Sequence, residues 1–386
     1  GLLVRLHEDG AAAGEGRLEL ARDLARLAGS SGDVKDSEAV LLAAARVQGP
    51  HAARWKRACA IGLLDGARGP WAESREARRE AESVLSEAAR DAQAESLSVP
   101  ERLEAVRLLS RALLESAAPV LEGLIDASTS PELRAAAARS LGAHDDSKAA
   151  DALLSRWPAS TPQVRRAMAD VLLARPASSA RLIEAIEAGG VSSTEIEPAE
   201  RMRLLQHPDP GIKTRAEKAL TRPGEDRALV VARYKECLEL PADVERGRNT
   251  FQKTCATCHR VDEAGVDTGP DISDTRERSP ESLLTDILDP NRAIDGRYVS
   301  YAVTTKDGRV LTGVIASETA TAMTLRRAEG QTDTLLRQDI AQVVSSGLSL
   351  MPEGVEKDLS PQDMADLILF LKGWRYAKRD APGGGR

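Results

Sequence analysis

The sequence predicts a mainly α protein in two parts, and three observations point to it. Aromatic residues make up 3% of the 386-residue chain, and the first 230 residues are Ala, Leu, Arg and Glu at helical spacing with almost no β-branched runs. Within that half, helix openings recur every 31 residues. From Pro241 the composition changes to helices, a β-rich stretch over 298–344 and one strong terminal helix. The expected division is an α-solenoid over 1–225, a connecting helix over 226–240, a second domain over 241–376 with a β-rich insert, and a flexible tail over 377–386.

The openings are Pro100-Glu101-Arg102-Leu103, Pro131-Glu132-Leu133-Arg134 and Pro162-Gln163-Val164-Arg165. Proline suits the first helical turn, where its missing N–H has no partner to lose, and Ser130 and Thr161 ahead of two of them are expected N-caps. Second helices follow at about Ala118 to Asp126, Lys148 to Trp157 and Ser179 to Glu187, and Pro210-Gly211-Ile212-Lys213 opens another after a longer interval. Paired helices at this period resemble HEAT-type repeats, which imply a stacked, curved solenoid because one pair cannot bury its own apolar face. Alanines at 135–138 and at 167 and 169 would let helices approach closely. Before residue 100, helices are expected over 37–47, 52–65 and 71–94, as degenerate repeats or a cap.

Thr221-Arg222-Pro223-Gly224 is a break signal, and the helix after it places Val230, Tyr234, Cys237 and Leu238 on one face. Net charge is -7 with both signs mixed along the chain, which argues against a nucleic-acid partner and offers no polybasic membrane anchor. No stretch approaches the roughly 18 consecutive apolar residues of a spanning helix. The opening GLLVRLHEDG has neither the apolar run nor the cleavage site of a secretory signal.

Cys255-Ala256-Thr257-Cys258-His259 is the attachment pattern of c-type haem. Two thiols at i and i+3 add to the two vinyl groups of one porphyrin, and His259 is then held beneath the iron as a ligand. A zinc site needs two further ligands, whereas Cys59 and Cys237 look occupied by helical packing. A thioredoxin-like pair needs a preceding strand, and the residues ahead of Cys255 read as helix. One covalent haem c is the expectation, and one-electron transfer the chemistry.

The flanks agree. Val244, Gly247, Arg248 and Phe251 form a helix face whose glycine costs about 1 kcal/mol relative to alanine, so it needs a packing reason. The last helix, capped by Ser360 with Pro361 first and Asp363 three residues after the cap, presents Met364, Leu367, Ile368, Leu371 and Trp374 at helical spacing. The two are expected to cross at Gly247, with Phe251 against Leu367 and Leu371, as the terminal helices of a cytochrome c fold do. By the same resemblance the carbonyl of Pro270, in Gly269-Pro270-Asp271-Ile272, accepts the ligand histidine's N–H; a plain turn is the competing reading. Met351, in Ser349-Leu350-Met351-Pro352, is the expected sixth ligand. Met323, Met364, Met168 and Met202 all read as core, and His7, His51, His144 and His207 lie in the first domain. A thioether favours Fe(II) and raises the potential relative to a second histidine.

Strands over Tyr298 to Thr305 and Arg309 to Ser317 flank Asp307-Gly308, and Thr321 to Arg327 and Thr332 to Leu336 flank Glu329-Gly330. They predict a small four- or five-stranded barrel-like module, either a lid over one haem edge or a docking element. Together with Arg246 to Phe251, Cys255 to His259, Gly269 to Asp271, Leu283-Leu284 to Asn291, Thr305 to Gly313 and Ser349 to Pro352, this resembles the haem-binding cytochrome c domain at the C-terminal end of large exported proteins of planctomycetes and verrucomicrobia. The resemblance covers about 240–375 and implies helical repeats ahead of the domain, a redox protein partner such as a dehydrogenase, and a periplasmic or otherwise exported location, since haem c is attached outside the bacterial cytoplasmic membrane. It includes no catalytic residue in this chain. Arg276 or Arg278 is a candidate partner for a haem propionate, against the commoner plain surface role, and Tyr298 and Tyr301 are candidates of the same standing. The alternatives are an open-site haem enzyme or gas sensor without Met351 on the iron, and a repeat scaffold with a tethered cytochrome.

Overall fold

A computed structural model describes residues 15–49, 52–67, 69–126, 129–220, 225–275 and 277–377. His7, His51, the break signal at 221–224, Arg276 and the tail from residue 378 lie outside the described residues. The chain divides into two compact units, one up to Leu153 and one from Leu154.

The first unit is helical: α1 (Glu15–Ser30), α2 (Val34–Ala45), α3 (Ala52–Gly66), α4 (Arg75–Gln93), α5 (Val99–Leu108), α6 (Leu114–Asp126), α7 (Pro131–Gly142) and most of α8 (Ser147–Arg156). The helices α2, α3 and α4 occupy the spans expected before residue 100; α1 has no counterpart among them. It packs on α3 through glycine, since a Cβ at Gly62 would lie 2.7 Å from the Ala25 Cβ. In α7 the small residues Ala135, Ala137 and Ala138 are buried beside Leu133 and Leu141, as the close approach of repeat helices requires. The Ser130 hydroxyl caps α7 by accepting the Leu133 N–H. Helix ends carry carbonyls without intrahelical partners, and here arginines supply the donors. Arg102 Nε donates to the Ala92 carbonyl at 3.0 Å and Arg134 Nε to Ile125 at 2.9 Å.

The second unit repeats the device, Arg165 Nε donating to the Trp157 carbonyl at 2.9 Å. It opens with α9 (Pro162–Leu172), α10 (Pro176–Glu187), α11 (Pro198–Leu205) and α12 (Pro210–Ala219). Thr161 stands at the N-cap of α9 with extended backbone but makes no cap bond. Its hydroxyl instead meets Glu318 Oε1 at 2.7 Å, a tertiary partner that the local pattern does not reveal. Next come α13 (Glu225–Tyr234), a 3-10 turn over Lys235–Glu239, α14 (Val244–Thr250), α15 (Pro280–Leu288) and the terminal α16 (Pro361–Ala377).

α14 and α16 cross at Gly247. A Cβ there would sit 2.8 Å from the Phe370 Cβ and closer still to the Asp366 carbonyl, so only glycine permits the crossing. Phe251 is fully buried in one cluster with Leu367 and Leu371. Its ring partner is Phe370, with centroids 5.5 Å apart. Asp366 bonds Arg246 through both carboxylate oxygens, at 2.6 and 2.9 Å, and accepts the Asp243 N–H at 2.7 Å, tying the start of α14 to α16. The Ser360 and Asp363 side chains cap α16 reciprocally.

The insert is one antiparallel sheet of β3 (Val299–Thr305), β4 (Val310–Glu318), β5 (Ala322–Arg326), β6 (Thr332–Leu336) and β7 (Ile340–Ser349), in the order β6-β5-β4-β3-β7. It is open and not the expected barrel. The last strand returns beside β3 rather than β6, and the helical segment occupies its outer edge: Ser345 donates its N–H to the Pro158 carbonyl at 3.1 Å and its hydroxyl to Glu195 Oε1 at 2.5 Å. Thr194 bonds the Gly347 carbonyl beside them. Behind this seam Glu195 pairs with the buried Arg165 at 2.5 Å and accepts the Trp157 indole N–H at 3.1 Å. An edge strand covered in this way needs no closure.

Candidate haem site

Past Thr250 the backbone widens into a π turn over Phe251–Cys255, with Ala256 donating to the Phe251 carbonyl at 2.9 Å. Cys255 O then accepts the N–H of both Cys258, at 3.0 Å, and His259, at 2.8 Å. One compact turn thus carries both thiols and the imidazole. The two cysteines form no disulfide and are half-buried. Burial, with the neighbouring Cys258, pushes the Cys255 thiol up to about 12.

The strands β1 (Arg260–Val261) and β2 (Ala264–Gly265) reverse the chain and return it beneath this turn. Gly269 donates to the Cys258 carbonyl at 2.6 Å and Ile272 to the Arg260 carbonyl at 3.0 Å. The loop is pinned by Arg260, which bonds Asp271 at 2.8 Å and Asp267 at 2.9 Å, and the Ser273 and Arg260 contacts hold the Asp271 carboxyl down to about 2. In that loop the Pro270 carbonyl lies 2.9 Å from His259 Nδ1. A carbonyl only accepts, so Nδ1 carries the proton and the neutral ring keeps its lone pair on Nε2. Burial lowers the His259 pKa and the Pro270 bond works against it; the lowered value favours the neutral ring a metal ligand requires. A Cβ at Gly269 would lie 2.6 Å from His259 Cε1, so the glycine leaves room for the imidazole face.

Met351 is half-buried in the loop that leaves β7, with its N–H on Ser349 Oγ at 3.1 Å. The loop's exit is held by α13: Arg227 pairs with both oxygens of Glu356, at 2.8 and 3.0 Å, and Tyr234 donates to the Leu359 carbonyl at 2.7 Å. Cys255, Cys258, His259 and Pro270 therefore come together in one turn and its return loop, while Met351 stands on a separate segment. Of its rivals, Met168, Met323 and Met364 are fully buried core residues. Met202 is not: it is 51% exposed on the solvent side of α11. Arg276 lies outside the described residues. Arg278 is exposed, its guanidinium held by Asp286 and by Ser282 Oγ at 2.9 Å. Tyr301 is core, buried beneath Arg165 at 5.4 Å from the ring centroid, and Arg297 lies 5.5 Å over the half-buried Tyr298 ring.

Sequence reasoning missed what the insert does here. Glu329, at the β5–β6 turn, donates its N–H to the Thr257 carbonyl inside the attachment turn at 2.7 Å, and Thr268 bonds the Arg327 carbonyl at 2.7 Å. Glu329 and Gly330 both have positive φ, 61° and 70°, which sets the turn that brings this amide forward. Arg227 and Tyr234 were equally hidden, since nothing in a single helix pattern says which remote loop it holds.

The turn brings two thiols and an oriented imidazole together, which is the set that a covalent haem site requires. Family comparison agrees: a model of HEAT repeats matches residues 83–174 and a model of cytochrome c matches residues 244–374. The chain carries HEAT repeats followed by a cytochrome c domain, which implies covalently bound haem c and a haem-based electron-transfer role. No curated protein matches the chain. No helix among the described residues is long and apolar enough to cross a membrane.

Proposed function

We propose that this chain is a monohaem one-electron carrier of the planctomycete and verrucomicrobial type. In this reading Cys255 and Cys258 hold the porphyrin, and His259 and Met351 are the axial ligands. The observation that carries it is the His259–Pro270 bond at 2.9 Å, which fixes the ring and its tautomer beside the sequence's single CxxCH. Haem c, when bound, supplies a redox-active iron. The protein's part is to hold the imidazole neutral and oriented, to bring a thioether from the β7 loop, and to present the cofactor to a partner. No bond-making residue is required. Electrons arrive from an exported dehydrogenase or another redox protein docked near the helical repeats, outside the bacterial cytoplasmic membrane. Arg278 belongs to the propionate reading only if its guanidinium exchanges Asp286 for the haem.

Protein matured in a host competent for haem c assembly is the test. One haem per chain and a weak near-infrared methionine-to-ferric-iron band are expected, the band vanishing in Met351→Ala. An unchanged band in that variant removes Met351 from the iron, and free thiols at 255 and 258 in colourless protein remove the haem itself.

A further inference from the structure

We propose that Asn291 is a positioning residue for the sixth ligand, a buried carboxamide that closes the Met351 loop. The inference rests on the ligand reading above. The segment Ser349 to Gly354 belongs to no helix or strand after its first residue, Pro352 has no N–H to donate, and Gly354 sits at a φ of +96°. Such a loop takes its conformation from the side chains around it.

Asn291 is 5% exposed and follows α15 by three residues. Its Oδ1 accepts the Ser349 N–H at 2.7 Å, and its Nδ2 donates to Glu353 Oε1 at 2.6 Å. Both roles are fixed by the partners, because a backbone N–H only donates and a carboxylate only accepts, so the amide has one orientation. The two bonds fall two residues before and two residues after Met351. Ser349, held by the first bond, in turn accepts the Met351 N–H at 3.1 Å. The same short segment also reaches the loop's far end, since Arg227 bridges the Leu288 carbonyl, at 2.8 Å, to Glu356. A buried carboxamide left without partners is costly, so the side chain and the loop hold each other in place. A thioether is a neutral ligand with little electrostatic pull on iron, and its residence there depends on how firmly its loop is held.

The test uses the full chain carrying haem. In Asn291→Leu, amide exchange at Ser349 and Met351 is expected to rise about tenfold or more, and the near-infrared band to be lost at a lower temperature than in the parent. Asn291→Asp sets a carboxylate against Glu353 and is expected to behave similarly. Adding Glu353→Gln to Asn291→Asp restores a donor opposite an acceptor and is expected to recover both readouts, which a general loss of packing would not do. Unchanged exchange at Ser349 in folded Asn291→Leu, or a double variant no better than Asn291→Asp, overturns the proposal. If Met351→Ala retains the band, the ligand reading fails by itself, and the exchange measurement still decides whether Asn291 holds the loop.

Discussion

The His259 imidazole donates its Nδ1–H to the Pro270 carbonyl across 2.9 Å, while Gly269, one residue earlier, passes against the face of the same ring. The two contacts leave the ring one tautomer and little rotation. Gly269→Ala would place a Cβ 2.6 Å from Cε1 and so displace either the ring or the loop. Changes to such supporting contacts weaken metal binding by about 10–100-fold. Gly269→Ala is expected to shift the visible spectrum away from the low-spin form and to lower the yield of haem-bearing protein; a parental spectrum and yield would show that the close approach is not needed.

The crossing of α14 and α16 allows no side chain at position 247. Gly247→Ala has no flexible neighbour to push aside, because the nearest atoms are the Asp366 backbone carbonyl and the Phe370 Cβ. Overpacking of this kind costs about 1–3 kcal/mol. Chemical denaturation of the haem-bearing protein is expected to show that loss as a lower midpoint at unchanged slope.

Acid should loosen the same crossing. Burial pushes the Asp366 carboxyl up, but Arg246, the Asp243 N–H and Gln362 outweigh it and leave its pKa below the usual aspartate value. A carboxyl with a depressed folded-state pKa contributes stability that is complete above its unfolded value, near about 4, and is lost as pH falls through the lower folded value. Asp366→Asn is therefore expected to be less stable than the parent at pH 7 and to lose less on acidification below pH 4. Parallel stability curves for the two proteins would remove Asp366 from the acid response.

Glu195 joins the last helical repeats to the sheet. Its carboxylate accepts from Arg165, Trp157 and Ser345, and its side chain and that of Arg165 are each 6% exposed. Glu195→Ala leaves a buried guanidinium without its counter-charge, at a cost of about 3–5 kcal/mol. Chemical denaturation is expected to show it, together with faster amide exchange along β7. An effect confined to the helices, with β7 unchanged, would separate the sheet from the repeats.

Much of this was legible in sequence because it is written locally. The helix-opening prolines, the five-residue attachment pattern and the period of α16 each need only a few consecutive residues to declare themselves. Gly247 points to a close crossing because a glycine inside a helix costs about 1 kcal/mol relative to alanine and so calls for a packing reason. What escaped lay in contacts between distant segments. Thr161 precedes a proline and stands at the N-cap, yet its hydroxyl serves Glu318, 157 residues away. Met202 lies in the helical half and reads as core with the other methionines, but one apolar residue does not say whether anything packs against its face.

The sequence by itself determined that helical repeats come first and a cytochrome c domain follows, since an attachment pattern and helix periodicity are properties of short stretches. Tertiary structure alone decided that the inserted sheet stays open, that its β5–β6 turn bonds the attachment turn, and that β7 rests on the last repeats while its end leads to Met351. The physical reason is that a strand's alternation fixes which face it buries but not which neighbour satisfies its edge. Here the Pro158 carbonyl and the Thr194 hydroxyl take up the Ser345 N–H and the Gly347 carbonyl, edge groups that a barrel would have paired within the sheet.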